Sequence, residues 1–445
     1  MTGEALATQE TVAAQAATAA LVPDKRRLGL FLAGGLMMLL INVGDPAVGL
    51  INVPVSFFLK NRLHLAADQL AIFRIWTGIP LFLSLAFGFL RDRWSPFGAG
   101  DRGHLIVFGL ATATAYAVMA FLPPSYAMWV AGIIVATAIF QVVAGAGAGL
   151  ISTVGQQQAM AGRMGALLGV AVIAPQMASY LAGGALSDYL EGRGASGAAR
   201  TLFLIAAAVL VGVALIGVVR PRALFDAAVV ERPTSRVLAD IRRLARHWPI
   251  YPVVMIQILW QFGPAAGVVL QYHISDDLHG SDFQFAAWNA TFLGAFIPLF
   301  VAYGFLCQRF RLSRLLWIGF GLAVFQMVPL LFVRTANEAI LAAIPMGVIG
   351  ALAQASLTDL AIRACPPGLQ GTMMLLWGAS IYWIAVRFGD VLGTQIYAHA
   401  GGHWAGFNEA VWATIAIYAL ILPVLLLVPK RLIATRDGEA LEIDA

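Results

Sequence analysis

Twelve apolar stretches, split six and six around one polar segment, constrain this chain more than any other feature. A helix that crosses a bilayer needs roughly 20 mostly apolar residues. Stretches of that kind run near 28–58, 68–90, 104–122, 126–154, 161–187 and 200–219, then near 250–274, 283–306, 313–333, 338–362, 370–397 and 408–428. The composition agrees: 60% of the 445 residues are hydrophobic and 11% are charged, against about 25% charged in soluble domains. Mean hydropathy is +0.81. An apolar excess of this size makes sense only if lipid is the solvent for much of the surface. The reading is an all-α membrane protein with 12 transmembrane helices in two pseudo-symmetric six-helix bundles, over 28–219 and 250–428. Residues 1–27 are expected to be a disordered N-terminus, 220–249 a linker and 429–445 a tail. The apolar segment after Lys25, Arg26 and Arg27 is too long for a signal-peptide core and reads as a retained first span.

The basic residues set orientation rather than a nucleic-acid surface. With the N-terminus inside, 21 Lys and Arg fall in inside segments and 5 in outside segments, while Arg74 and Arg387 lie within spans. That bias puts both termini in the cytoplasm. Arg outnumbers Lys twenty-five to three, which points to a GC-rich bacterial genome and so to a bacterial inner membrane. Cys307 and Cys365 fall at inside helix ends, without metal-ligand spacing. His399 and His403 fall in an outside loop and read as loop residues rather than ligands. No nucleophile–base set, zinc motif or phosphate-binding loop is present; the glycines at 145, 147, 149, 165 and 169 sit inside apolar spans and suit close helix packing. Neither an enzyme nor a bound cofactor is expected.

The two halves resemble each other. Asp45-Pro46-Ala47-Val48-Gly49 corresponds to Gly263-Pro264-Ala265-Ala266-Gly267, and Ile79-Pro80-Leu81-Phe82 recurs as Ile297-Pro298-Leu299-Phe300. Gly88-Phe89-Leu90-Arg91-Asp92-Arg93 recurs as Gly304-Phe305-Leu306-Cys307-Gln308-Arg309, with Gln308 in place of the acid. All three matches have offsets of 216–218 residues. Parallel repeats of this kind suggest one half rocking against the other around a site at the midplane.

The loop from Gly88 to Arg93, continuing to Gly98 and Arg102, resembles the signature loop between spans two and three of the major facilitator superfamily. That resemblance implies that Asp92 sits near a helix N-terminus, and that Arg93 and Arg102 pair with carboxylates and carbonyls in a gating role. Three further stretches are similar to the folate–biopterin transporter family: Phe57-Phe58-Leu59-Lys60-Asn61-Arg62-Leu63; Pro96-Phe97-Gly98 with Arg102 and Leu105; and Cys365-Pro366-Pro367-Gly368-Leu369-Gln370-Gly371-Thr372. The loop departs from that family at Ala99–His104, and the stretch from Ser152 to Gln158 lacks an expected acid.

An ionised side chain inside a span costs at least about 2.5–3.5 kcal/mol at the helix centre, so it needs a partner or a purpose. Asp45 shares spacings of 3 and 4 with Asn42, Gly49, Asn52 and Ser56, which predicts one polar helix face in span one. Asp45 is a candidate for proton coupling or for a substrate counter-ion; the bland alternative is an ion pair with Arg74 or Arg387. The resemblance implies that spans two and eleven meet between the halves, where Arg74 and Arg387 would suit an anionic substrate. Asp390, one turn from Arg387, is a second proton-coupling candidate or simply its neutralising partner. The resemblance also makes spans one, four, seven and ten line the cavity. Their polar residues include Gln141, Gln257, Gln261 and Gln354, whose amides both donate and accept. Trp383 is a candidate to stack on a substrate ring, against the commoner role of Trp in packing. Asp359 and Arg363, spaced i to i+4, read as a gating ion pair at the inner end of span ten.

These residues suggest a secondary transporter of a small polar or anionic organic solute, with a folate- or pteridine-like solute implied by the resemblance and a proton as co-transported ion. The expected partners are the solute, the proton and membrane lipid, with no nucleic acid and a monomeric state. The alternative is a non-transporting assembly or sensing factor, which has less use for polar faces on four spans.

Overall fold

The computed structural model of the chain describes residues 24–61, 63, 67–191, 195–228, 237–401 and 403–439. Residues 1–23, Arg62, Arg193, 229–236 and 440–445 lie outside them, so most of the expected N-terminal segment, part of the linker and the end of the tail fall there. All regular structure among the described residues is helical. Ten of these helices are long and apolar enough to cross a membrane. The other two spans, the first and the seventh, are short because each is broken.

Span one runs over Asp24–Val43, stops, and resumes as Asn52–Asn61; span seven runs over Ile250–Gln261 and resumes as Gly267–Tyr272, ending in a π turn at His273–Asp277. The sequence dictates both breaks. Pro46 and Pro264 lack an N–H and push the preceding residue away from helical angles. Gly267 adopts φ +58°, a left-handed conformation that glycine takes without steric cost.

Backbone groups freed inside a membrane must find partners in the protein. At the first break the Asp45 carboxylate accepts the N–H groups of Ala47 (2.7 Å) and Val48 (3.3 Å). Asn52 donates to the Ala47 carbonyl, and the Tyr116 hydroxyl donates to the Gly44 carbonyl. The single polar helix face expected from Asn42 to Ser56 therefore does not exist, because the spacing argument assumed an unbroken helix. At the second break the partners come from other helices. The Ala265 N–H donates to Thr414 Oγ1 (2.9 Å), and the Val268 N–H reaches Asp390 Oδ1 (3.5 Å).

The remaining spans are Ala67–Phe82 with Ser84–Arg93 (two), Asp101–Phe121 (three), Tyr126–Gln157 (four), Ala161–Glu191 (five) and Ala195–Val219 (six). In the second half they are Asp282–Arg309 (eight), Leu312–Ala323 running on to Phe332 (nine) and Ala336–Ala364 (ten). Span eleven is Gln370–Leu375 followed by a π segment and Tyr382–His399, and span twelve is His403–Ala419 with Ile421–Leu425. Between the halves, span five packs on spans eight and ten, and span eleven packs on spans two and four. These two contacts are images of each other under the internal repeat. Glycines allow the approach: a Cβ at Gly169 would lie 2.5 Å from the Phe300 ring, and one at Gly145 would lie 2.9 Å from Leu375. The outer surface carries exposed Leu215, Phe305, Leu341 and Trp412, as a lipid-facing belt requires.

Candidate functional site

The polar chemistry gathers in two layers: one at the face that carries both described ends of the chain (the terminal face), and one at the level of the helix breaks. At the terminal face the two halves are bonded together.

The first lock is built by the last turn of span two and the first turn of span three. Asp92 accepts the N–H groups of Gly371 (3.1 Å) and Thr372 (2.7 Å) and the Thr372 hydroxyl (2.6 Å), so it caps the first turn of span eleven. Arg91 pairs with Asp92 and with Asp101, and the side chains of Arg91 and Asp92 are 1% and 0% exposed. Gly88 and Gly371 are needed for this fit, since a Cβ at Gly88 would lie 2.6 Å from Thr372 Cα and one at Gly371 2.6 Å from Arg91 Cδ. Arg93 pairs with Asp240 of the linker helix Val237–Arg246, and Arg102 Nε donates to the Gly217 carbonyl (2.7 Å). Beside the lock, Gln156 Nε2 donates to the carbonyls of Ile362 and Cys365 (2.8 Å each), and the Ser152 hydroxyl contacts Cys365 Sγ at 3.6 Å.

The second lock is built by the tail. After span twelve the chain forms a short helix, Lys430–Ile433, and then crosses the terminal face. Asp437 Oδ1 accepts the Gly162 N–H (2.9 Å) at the start of span five, and Oδ2 pairs with Arg163 Nε (2.6 Å). The Gly438 N–H donates to the Ala159 carbonyl (2.7 Å), and the Asp437 N–H to the Cys307 carbonyl (3.0 Å). Arg363 anchors the same strap: it pairs with Asp359 (2.7 Å) and donates to the Thr435 carbonyl (3.1 Å) and hydroxyl (3.0 Å). Tyr303 donates to Asp359 Oδ2 (3.0 Å). Burial pushes the Asp437 carboxyl above the usual carboxylate range, with nearby Asp359 adding to the rise and Arg163 opposing it.

The two locks are related by the repeat. Gln308 stands 216 residues after Asp92, where an acid would cap span five as Asp92 caps span eleven. Gln308 instead donates to its own Gly304 carbonyl. The missing carboxylate is supplied in space by Asp437. Gly162 corresponds to Gly371: a Cβ there would lie 2.7 Å from Cys307 Cβ, the residue that corresponds to Arg91.

At the level of the breaks, several candidates brace the protein itself. Gln141 Oε1 accepts the Ser84 hydroxyl (2.9 Å), tying span four to span two. Gln354 Oε1 accepts from Trp260 Nε1 (2.8 Å) and Gln261 Nε2 (3.2 Å), and Asn42 donates to the Met38 carbonyl one turn back. Arg74 Nη2 donates to the Ser56 hydroxyl (3.3 Å). On span eleven, Arg387 lies 3.6 Å from Asp390 and 5.7 Å from the centre of the Trp383 ring. Its side chain is 46% exposed, against 16% for Asp390. Gln257 Nε2 donates to the Trp377 carbonyl (3.3 Å), while Gln257 Oε1 and Trp377 Nε1 are buried and make no hydrogen bond among the described residues. Arg74 and Arg387 thus sit on neighbouring spans, each with a partner in its own half.

Among solved structures the chain superposes on the proton:xylose symporter XylE bound to 6-bromo-6-deoxy-D-glucose with a TM-score of 0.66, at 16% identity, over 94% of this chain and 99% of that one. It superposes on the human organic anion transporter TETRAN with a TM-score of 0.62, at 15% identity, over 91% and 100%. It has the major facilitator fold. A bacterial homologue of the iron transporter ferroportin, in an outward-facing state, also matches this fold at a TM-score of 0.61 and 16% identity, over 89% and 98%. In sequence, the profile of the BT1 family matches residues 46–262, just under half of the chain. The chain is therefore similar to that family, and two of the three stretches that resembled folate–biopterin transporters lie inside the match. No curated protein matches the sequence. The named neighbours are a sugar symporter, an organic anion transporter and a homologue of an iron transporter, so the facilitator fold does not by itself select a solute.

Within this fold, sequence reasoning missed the tail strap of Thr435, Asp437 and Gly438, together with Arg163, Tyr303, Asp101 and Asp240. The Gln308 substitution carried a usable signal. A repeat that loses a capping acid invites a search for another acid to cap Gly162, and Asp437 is one of few in the tail.

Proposed function

We propose that the chain is a secondary transporter of a small anionic heteroaromatic solute. It would work by alternating access, and this conformation would be closed toward the cytoplasm. The basic-residue bias assigns the terminal face to the cytoplasm. The observation that carries the solute class is Arg387 beside Trp383 on span eleven; the unpaired atoms of Gln257 and Trp377 lie at a level about 15 Å further along the same span. Arg387 offers a bidentate cation beside the Trp383 ring, and Gln257 Oε1 and Trp377 Nε1 offer one buried acceptor and one buried donor. Leaving such atoms unpaired costs about 1–3 kcal/mol each, a cost that a solute with matching groups removes. The half-way exposure of Arg387 fits a cation that meets an incoming carboxylate rather than a closed ion pair.

Proton coupling is assigned to Asp390 and Asp45 in different degrees. Both contacts of Asp390 are long, at 3.5 Å to Val268 N and 3.6 Å to Arg387, so a substrate anion on Arg387 can free it to take a proton. Asp45 holds a short bond to Ala47 and fits a proton site only if the first break rearranges. The similarity to the BT1 family, over a region that holds two of the three folate–biopterin-like stretches, supports the same class of solute.

A thermal-shift screen of detergent-purified protein tests this reading, with folates, biopterin, other heteroaromatic acids, sugars, amino acids and organic phosphates at pH 6 and pH 8. A ligand at a hundredfold excess over its Kd adds about 2.7 kcal/mol of stability. Stabilisation by heteroaromatic acids that disappears in Arg387→Ala is expected. Stabilisation by sugars or amino acids alone would keep the transporter and replace the solute class. Uptake into proteoliposomes driven by an imposed pH gradient, and lost in Asp390→Asn, tests the coupling.

A further inference from the structure

The loop between spans eight and nine reads Arg309-Phe310-Arg311-Leu312-Ser313-Arg314, three arginines in six residues with no acid. The tail brings a fourth, Arg436, to the same place. These four arginines, with Phe310 and Ser313, line one cavity of about 360 Å³ on the terminal face. The Arg314 guanidinium lies over the Phe310 ring at 5.7 Å. Among the described residues one carboxylate approaches: Glu439 comes within 3.9 Å of Arg436 Nε, and both side chains are about half exposed (49% and 53%). Among the described residues Arg309 and Arg311 have no ion pair. Span nine begins at Leu312, whose N–H donates to the Thr435 carbonyl of the tail (3.4 Å), and no side chain caps its first turn.

The surroundings favour a lipid over a free anion. Phe305 precedes Arg309 by one helical turn and is 66% exposed; Trp317 follows Ser313 by one turn and is 41% exposed. Each lies about 5 Å further into the bilayer than its polar neighbour. The cavity therefore sits where the apolar belt ends, with a cationic floor for a phosphate and an apolar wall beneath for acyl chains.

We propose that this cavity binds the phosphate of an anionic phospholipid and thereby holds the tail strap in place. Arg436 lines the cavity, and its neighbour Asp437 makes the second lock on Gly162 and Arg163. A headgroup that retains Arg436 keeps Asp437 seated, so anionic lipid favours the conformation closed at the terminal face. The inference rests on the membrane-spanning reading and on no choice of solute.

The two native cysteines report on it, because Cys307 is buried against the second lock and Cys365 beside the first. Labelling of Cys307 by a thiol reagent is followed in nanodiscs of phosphatidylcholine alone, with added phosphatidylglycerol, or with free inorganic phosphate. Phosphatidylglycerol should slow labelling at least about fivefold, roughly the electrostatic contribution of one arginine near an anionic surface. Inorganic phosphate should not. Arg309→Gln with Arg311→Gln should abolish the slowing, as should Arg436→Gln alone. Melting in phosphatidylcholine should be unchanged, which shows that the variants fold. Equal protection in the variants, or none in wild type, would overturn the proposal. Equal protection by inorganic phosphate would replace the lipid with a soluble anion.

Discussion

The two locks at the terminal face do the same job with differently attached carboxylates. Asp92 belongs to the last turn of span two, is sealed beneath Arg91, and closes span eleven onto the first half. Asp437 belongs to a tail beyond the last span, held by Arg163, Arg363 and a few backbone bonds, and closes span five onto the second half. A carboxylate on a spanning helix moves only when that helix moves. One on a tail can leave while the helices stay, which turns half of a structural brace into a part that other molecules can control. The repeat explains how this arose physically: Gln308 cannot cap a helix N-terminus as a carboxylate does, and Asp437 fills the place.

The largest expected effect is from Asp92→Asn. It leaves Arg91 with Asp101 alone in a buried setting and should shift the balance between closed and open terminal faces by about 3 kcal/mol. That is roughly a hundredfold rise in the open population, read as faster labelling of Cys365. Asp437→Asn should act in the same direction by about 1–2 kcal/mol, because it removes one partly accessible charge-assisted contact, and should accelerate Cys307 more than Cys365. Gln308→Asp in the Asp437→Asn background sharpens the comparison: restoring an acid at the repeat position should recover most of the lost protection of Cys307. Failure to recover would mean that the tail does not stand in for the loop.

The number of spans, the repeat and the loop around Asp92 were legible because each leaves a local or periodic trace. The helix breaks were half legible. Pro46 and Pro264 marked them, yet the face drawn through Asn42, Asp45, Asn52 and Ser56 assumed continuity, and Asp45 instead caps its own break. The Gln residues were visible as polar positions in apolar spans. Their partners were not, because Gln141 meets Ser84 and Gln354 meets Trp260 only after helices pack, and an amide inside a membrane serves a brace as well as a ligand. The docking of the tail was not legible because its bonds to Gly162 and Arg163 span more than 270 residues and depend on the fold being in place.

The most direct test is site-resolved labelling of Cys307 and Cys365 from the terminal face in inside-out vesicles, comparing wild type, Asp92→Asn and Asp437→Asn. Slow labelling of both cysteines in wild type is expected, with Asp92→Asn exposing chiefly Cys365 and Asp437→Asn chiefly Cys307. Rapid labelling of both in wild type, or rates indifferent to either substitution, would contradict closure of this face by two carboxylate locks.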